Sequence, residues 1–111
     1  METHVPAYLM SEVRLINPTL ADQYRALSAS SIAAHGGEYL ARGVTPEAIE
    51  GEWPTEHYMV LVKFPDITAV KAWYTSPEYA DALALSRGAL SRRLLIIDGY
   101  VPPQSGSAAS A

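Results

Sequence analysis

Eight consecutive residues, His57-Tyr58-Met59-Val60-Leu61-Val62-Lys63-Phe64, constrain this chain more than any other segment. A strand sends alternate side chains to opposite faces. Here one face reads Tyr, Val, Val, Phe and the other His, Met, Leu, Lys. Both carry apolar bulk, so both are expected to be covered. With 111 residues the chain has material for one core and one domain.

The flanking segments decide what kind of domain. Ala7–Leu15 reads as a strand with a mostly apolar body. Asn17-Pro18 starts a helix, Asn as N-cap and Pro at the first helical position. Leu20, Tyr24, Leu27, Ser31 and Ala34 follow at helical spacing, and Gly36-Gly37 ends the helix. A second strand is expected at Glu38–Arg42, interrupted at Gly43-Val44-Thr45-Pro46 and continued over Ala48–Trp53. After His57–Phe64, Asp66 caps a short helix, Ile67–Tyr74, with Ile67, Val70, Trp73 and Tyr74 inward. Ser76-Pro77 starts a further helix bearing Tyr79, Leu83, Ser86 and Leu90 on one face. Leu94–Tyr100 is the last strand. The order β-α-β-β-α-β is the ferredoxin-like α+β pattern, a four-stranded antiparallel sheet with helices on one face. The open face then calls for a second copy, sheet against sheet, and so a homodimer. The domain is expected over 6–101, with residues 1–5 loose and the small-residue tail 102–111 disordered.

Composition removes several kinds of chemistry. With no Cys there are no thiolate nucleophiles, disulfides or Cys-held metal sites. Eight Lys+Arg against twelve Asp+Glu, a net charge of −4, oppose nucleic-acid binding. No apolar run reaches the roughly 20 residues of a membrane span, and residues 1–15 lack the pattern of a secretion signal. A cytoplasmic protein is expected, with no membrane or nucleic-acid partner.

Four segments carry a resemblance: AHGGEYLARG (Ala34–Gly43), EGEW (Glu50–Trp53), VLVKFP (Val60–Pro65) and WYTSPEYADALALS (Trp73–Ser86). Together they resemble a small bacterial family, a domain of unknown function within the dimeric α/β-barrel superfamily. The likeness covers about Ala7 to Gly99 and implies the ferredoxin-like fold and the dimer. It leaves activity open, because that superfamily includes cofactor-free monooxygenases, lactone isomerases, polyketide cyclases, haem enzymes and proteins with no known reaction. In the family an Arg often stands where this chain has Ser86. Arg87, one residue on, points about 100° away around a helix.

No hydrolase, zinc-protease or nucleotide-loop motif is present, so any site is assembled by the fold. His35, at the end of the first helix, either favours the helix dipole or acts as general base at a pocket rim. Arg42, in a strand expected to be buried, either pairs with Glu50 or Glu12 or clamps a ligand anion. Glu50, Glu52 and His57 read as hairpin surface charges rather than a metal cluster. Seven Tyr against one Phe is a skewed choice for a core, since each buried phenol needs a partner. Tyr39, Tyr58, Trp73 and Tyr74, with Ser86, are expected to contact a ligand. The small residues of Ser28–Ala34 leave either very close packing or a pocket.

Two functions follow. One is an enzyme without a bound organic cofactor, of the isomerase, cyclase or cofactor-free monooxygenase type, in which His35 takes a proton from an aromatic or enolisable substrate. The other is a non-catalytic homodimer that binds a small ligand or simply assembles.

Overall fold

The structure, a computed structural model, describes residues 5–102. The segments expected to be loose, 1–5 and 102–111, lie outside the described residues except for Val5 and Pro102. The element order is β1 (Ala7–Leu15), α1 (Pro18–Ala34), β2 (Glu38–Val44), β3 (His57–Phe64), α2 (Ile67–Tyr74), α3 (Pro77–Ala89) and β4 (Leu90–Asp98). The strands form one sheet in the order β2-β3-β1-β4, and every recorded pairing is antiparallel.

Each helix begins as its sequence dictates. The Asn17 side chain accepts from Leu20 N at 3.1 Å, Asp66 from Ala69 N at 2.8 Å and Ser76 from Tyr79 N at 3.2 Å. These bonds satisfy amide donors that the first turn leaves free. Pro occupies the first turn of α1 and α3, where a missing N–H costs nothing.

Register sorts the sheet into two faces. Leu9 lies between Val62 and Ile96, Ser11 between Val60 and Leu94, and Val13 between Tyr58 and Arg92, all on the helix side. Phe64, Val62, Val70, Trp73 and Tyr79 fill the core there. The opposite face carries Tyr8, Met10, Met59, Leu61, Leu95 and Ile97, and no helix of the described chain covers it. Leu95 and Ile97 keep 45% and 43% of their surface exposed.

Three local expectations are corrected. Ala48–Trp53 is not a strand: β2 ends at Val44 after two register shifts. Gly43 at the second shift has φ +67, a conformation open to glycine at little steric cost. Trp53 instead folds back, its indole N–H donating to the His57 carbonyl at 2.8 Å. Leu90 belongs to β4 rather than α3, so the last strand starts four residues earlier than expected. Finally, α1 buries Ala21, Ser28, Ser31 and Ile32, while Leu27 is exposed and Ala34 faces out. The small side chains take the inner face because α1 packs closely along α3.

On the open face Glu12 accepts from Arg93 and pairs with His57 Nδ1 at 2.7 Å. Arg93, and then His57, hold its carboxyl below the ordinary carboxylate value of 4.5. A carboxyl with a lowered folded-state pKa stabilises the fold fully above its unfolded-state value. That contribution drains as pH falls toward the folded-state value. Glu12→Gln should therefore flatten the loss of stability on acidification below about pH 4.5, as read by urea denaturation at stepped pH. Equal acid limbs in the two proteins would show the cluster to be energetically silent.

Candidate functional site

Beneath α1 the sheet leaves a cavity of about 430 Å³. Its floor is the helix-side face of all four strands and its roof is α1, with Trp73 of α2 at one wall. The volume lies in the range of small-molecule pockets.

The most unusual group in it is Arg92. Its guanidinium enters from β4 and donates to Tyr24 OH through Nη1 at 2.6 Å and to Tyr79 OH through Nη2 at 2.8 Å. The two phenol oxygens lie 2.8 Å apart, and the guanidinium carbon stands 5.1 Å from the Tyr24 ring centre. Among the described residues no carboxylate comes within 4.0 Å of Arg92. A half-buried cation held only by neutral oxygens lacks the counter-charge such a group normally has. The phenols also hold a spare donor. They contain two protons and share one, and beyond Arg92 the remaining neighbour of Tyr24 OH is Ser28 Oγ at a long 3.4 Å.

Arg42 faces the same cavity from β2. It is exposed, stacked 4.6 Å above the Tyr39 ring, and also without a carboxylate within 4.0 Å among the described residues. Of the alternatives open in the sequence, the internal ion pair with Glu12 is excluded, because Glu12 lies on the opposite face of the sheet. Glu50 forms no such pair either. Arg25, the third lining arginine, is bound to Asp22 at 2.7 Å.

Burial pushes the phenols of Tyr39 and Tyr79 up, in Tyr79 with help from the nearby Tyr24. Both stay protonated at neutral pH and act as donors rather than bases. Ser11 Oγ, in the middle of the floor, is buried with no hydrogen-bond partner. A buried hydroxyl without a partner is unfavourable by about 1–3 kcal/mol. Ser11→Ala should therefore leave the thermal midpoint of the ligand-free protein unchanged or slightly higher. A drop of several degrees would reveal a partner for that hydroxyl.

The sequence-derived candidates divide. Tyr39, Tyr58, Arg42 and Trp73 line the cavity together. Tyr74 does not; it is 43% exposed and borders an adjoining depression with Val70 and Ile96. Ser86 is buried in α3, donating to the Leu83 carbonyl at 2.6 Å, and does not line this cavity. His35 stands outside the cavity. Its backbone N–H caps α1 on the Ile32 carbonyl, and its Nε2 lies 3.0 Å from Glu78 Oε1 on α3. That contact draws the ring across the helix pair and away from the rim.

The sequence puts Tyr24 on a packed helical face and assigns Arg92 and Ser11 no role at a site. The signal for Arg92 was the alternation Leu90, Arg92, Leu94, Ile96, which continues a strand. Among the described residues no three His, Asp or Glu cluster as a metal site. No helix there is long and apolar enough to cross a membrane.

The sequence pattern of a domain of unknown function, DUF1330, matches residues 6–100. A comparison with curated proteins finds no match. Among solved structures, the RPA0582 protein of unknown function from Rhodopseudomonas palustris is similar at TM-score 0.73 and 17% identity, covering 90% of this chain and 86% of that one. SnoaB, a cofactor-independent oxygenase from Streptomyces nogalater, gives 0.62 at 11% identity, covering 94% and 99%. A dimeric ferredoxin-like protein of unknown function from Thermobifida fusca gives 0.61 at 14% identity, covering 87% and 93%. At these identities the likeness shows the fold, which is ferredoxin-like α+β.

Proposed function

The chain belongs to the DUF1330 family, a domain of unknown function, and from that premise we propose that its pocket binds a small aromatic or enolisable molecule and favours the anionic form. The observation that carries this reading is the Arg92 guanidinium, set among two phenols beside an open cavity with no carboxylate among the described residues to neutralise it. A phenolate or enolate oxygen would supply the missing charge and accept the spare phenolic proton. Fixed donors aimed at developing negative charge lower the barrier to enolisation. Isomerisation or cyclisation of the stabilised carbanion, or its oxygenation by dissolved dioxygen as the co-substrate, can then proceed without an organic cofactor. The likeness to SnoaB, described as a cofactor-independent oxygenase, is consistent with such chemistry.

A second reading is binding without turnover. It is favoured by the absence of any His, Asp or Glu among the residues lining the cavity. On the first reading solvent removes the proton at the open mouth, and the pocket stabilises what remains.

The test uses para-nitrophenol, whose ionised form absorbs at longer wavelength than the neutral one. Bound to the protein, it should ionise at a pH lower by about one to three units than in free solution. Unchanged or later ionisation of the bound probe would sink the proposal. Incubation with enolisable phenols in air, followed by mass spectrometry, then separates turnover from binding alone.

The proposal also has two copies meeting through their open sheet faces. The uncovered Leu95 and Ile97 and the dimeric Thermobifida fusca relative support it. Sedimentation equilibrium should give twice the chain mass; a monomer at micromolar concentration would oppose it.

A further inference from the structure

We propose that the ligand carries two anionic groups, a carboxylate held by Arg42 and an ionisable enol or phenol held by Arg92. This rests on the reading of the pocket as an anion site and specifies the class of molecule it takes. Arg42 and Arg92 stand on β2 and β4, the two outer strands of the sheet. Two strands lie between them, and strands are about 4.8 Å apart, so their backbones are on the order of 14 Å apart. The guanidinium groups therefore come into one cavity from opposite ends.

Each is stacked on a tyrosine, Arg42 on Tyr39 and Arg92 on Tyr24, and neither meets a carboxylate among the described residues. Stacking on a ring orients a cation but leaves its charge uncompensated. A ligand with one negative charge would answer only one of the two guanidinium groups. A ligand with two matches both.

The ends are also different, and that assigns the groups. Arg42 is exposed at the mouth, where its planar fork can take a carboxylate that arrives already ionised. Arg92 is deeper, with one donor of Nη1 and one of Nη2 on phenol oxygens, further N–H groups remaining and a phenolic proton to spare. That end suits an oxygen that becomes charged only inside the site. Between them Val13, Val60 and the Trp73 ring give an apolar floor and wall for a flat body. The class is a hydroxy-aryl or enol carboxylate of about one ring, consistent with a cavity of about 430 Å³.

The experiment is calorimetric titration of the full chain with phenol, benzoate, para-hydroxybenzoate and the longer para-coumarate. Wild type, Arg42→Gln and Arg92→Lys are compared. At least one of the two difunctional acids should bind about tenfold or more tighter than benzoate or phenol, each tenfold being about 1.4 kcal/mol. Arg42→Gln should abolish that advantage and leave phenol within about twofold, because it removes only the carboxylate contact. Arg92→Lys keeps the charge and loses the fork, so it should weaken phenol and spare benzoate. If it does not fold, Arg42→Gln, at an exposed position, decides alone. Difunctional acids no tighter than their halves, or an Arg42→Gln variant identical to wild type, would overturn the two-anion inference and leave the single-anion reading standing. Failure of wild type to bind any of the four probes would overturn both.

Discussion

Replacing Trp73 with alanine should destabilise the protein by about 3–5 kcal/mol, the range for truncating a large buried aromatic side chain. Single domains of this size are stable by only about 5–15 kcal/mol, so the variant should be largely unfolded at modest urea concentration. Trp73 is 1% exposed, its ring centre 4.1 Å from that of Tyr79 and 5.8 Å from that of Phe64. Its indole N–H donates to the buried Ser31 Oγ at 2.9 Å, and Ser31 donates in turn to the Ser28 carbonyl. Alanine removes the volume at the junction of α1, α2 and the sheet and leaves Ser31 short of a donor. Trp73→Phe keeps most of the ring and loses the hydrogen bond, so its expected deficit is smaller, about 1–2 kcal/mol. Urea denaturation followed by far-ultraviolet circular dichroism orders the two. A Trp73→Ala deficit below about 1 kcal/mol would show that α2 is not part of the cooperative core.

The second large effect is on binding. Arg92→Met should keep the fold and weaken a phenolate ligand by about ten- to a hundredfold, since a hydrogen bond to a charged group contributes about 1.5–3 kcal/mol. The fold survives because Tyr24 and Tyr79 still bond to each other at 2.8 Å. Methionine also removes a half-buried charge that no carboxylate offsets among the described residues, which relieves its desolvation cost. The early ionisation of bound para-nitrophenol should vanish with the charge that causes it. Absorbance titration of the variant checks both effects. A bound probe that still ionises early would move the anion site to Arg42.

Much of the fold was legible because its signals are local. Asn17-Pro18, Asp66 and Ser76-Pro77 start helices where they stand, and the alternation in His57–Phe64 fixes that strand. The site was harder to read, because it depends on which side of α1 meets the sheet. Leu20, Tyr24, Leu27, Ser31 and Ala34 make the more apolar stripe, yet packing against α3 turns Ala21 and Ser28 inward. That rotation keeps Tyr24 and Ser28 at the pocket, while the Glu78 contact carries His35 out of it. Arg42, Tyr39, Tyr58 and Trp73, singled out from the sequence, line the cavity. Arg92 could not be singled out, since the helical spacing runs on to Leu90 and the apolar run starts only at Leu94, which leaves residues 91–93 without an element. Ser11 lies within a mostly apolar strand, and only its neighbours reveal an unpartnered hydroxyl.

The placement of the two tryptophans gives the protein a built-in optical gauge. Trp73 forms part of the cavity wall, whereas Trp53 sits by the hairpin with its N–H on the His57 carbonyl. In a Trp53→Phe variant all tryptophan emission comes from the pocket wall. Quenching of that emission would report occupancy directly, with no label attached to the chain or to the molecule it holds.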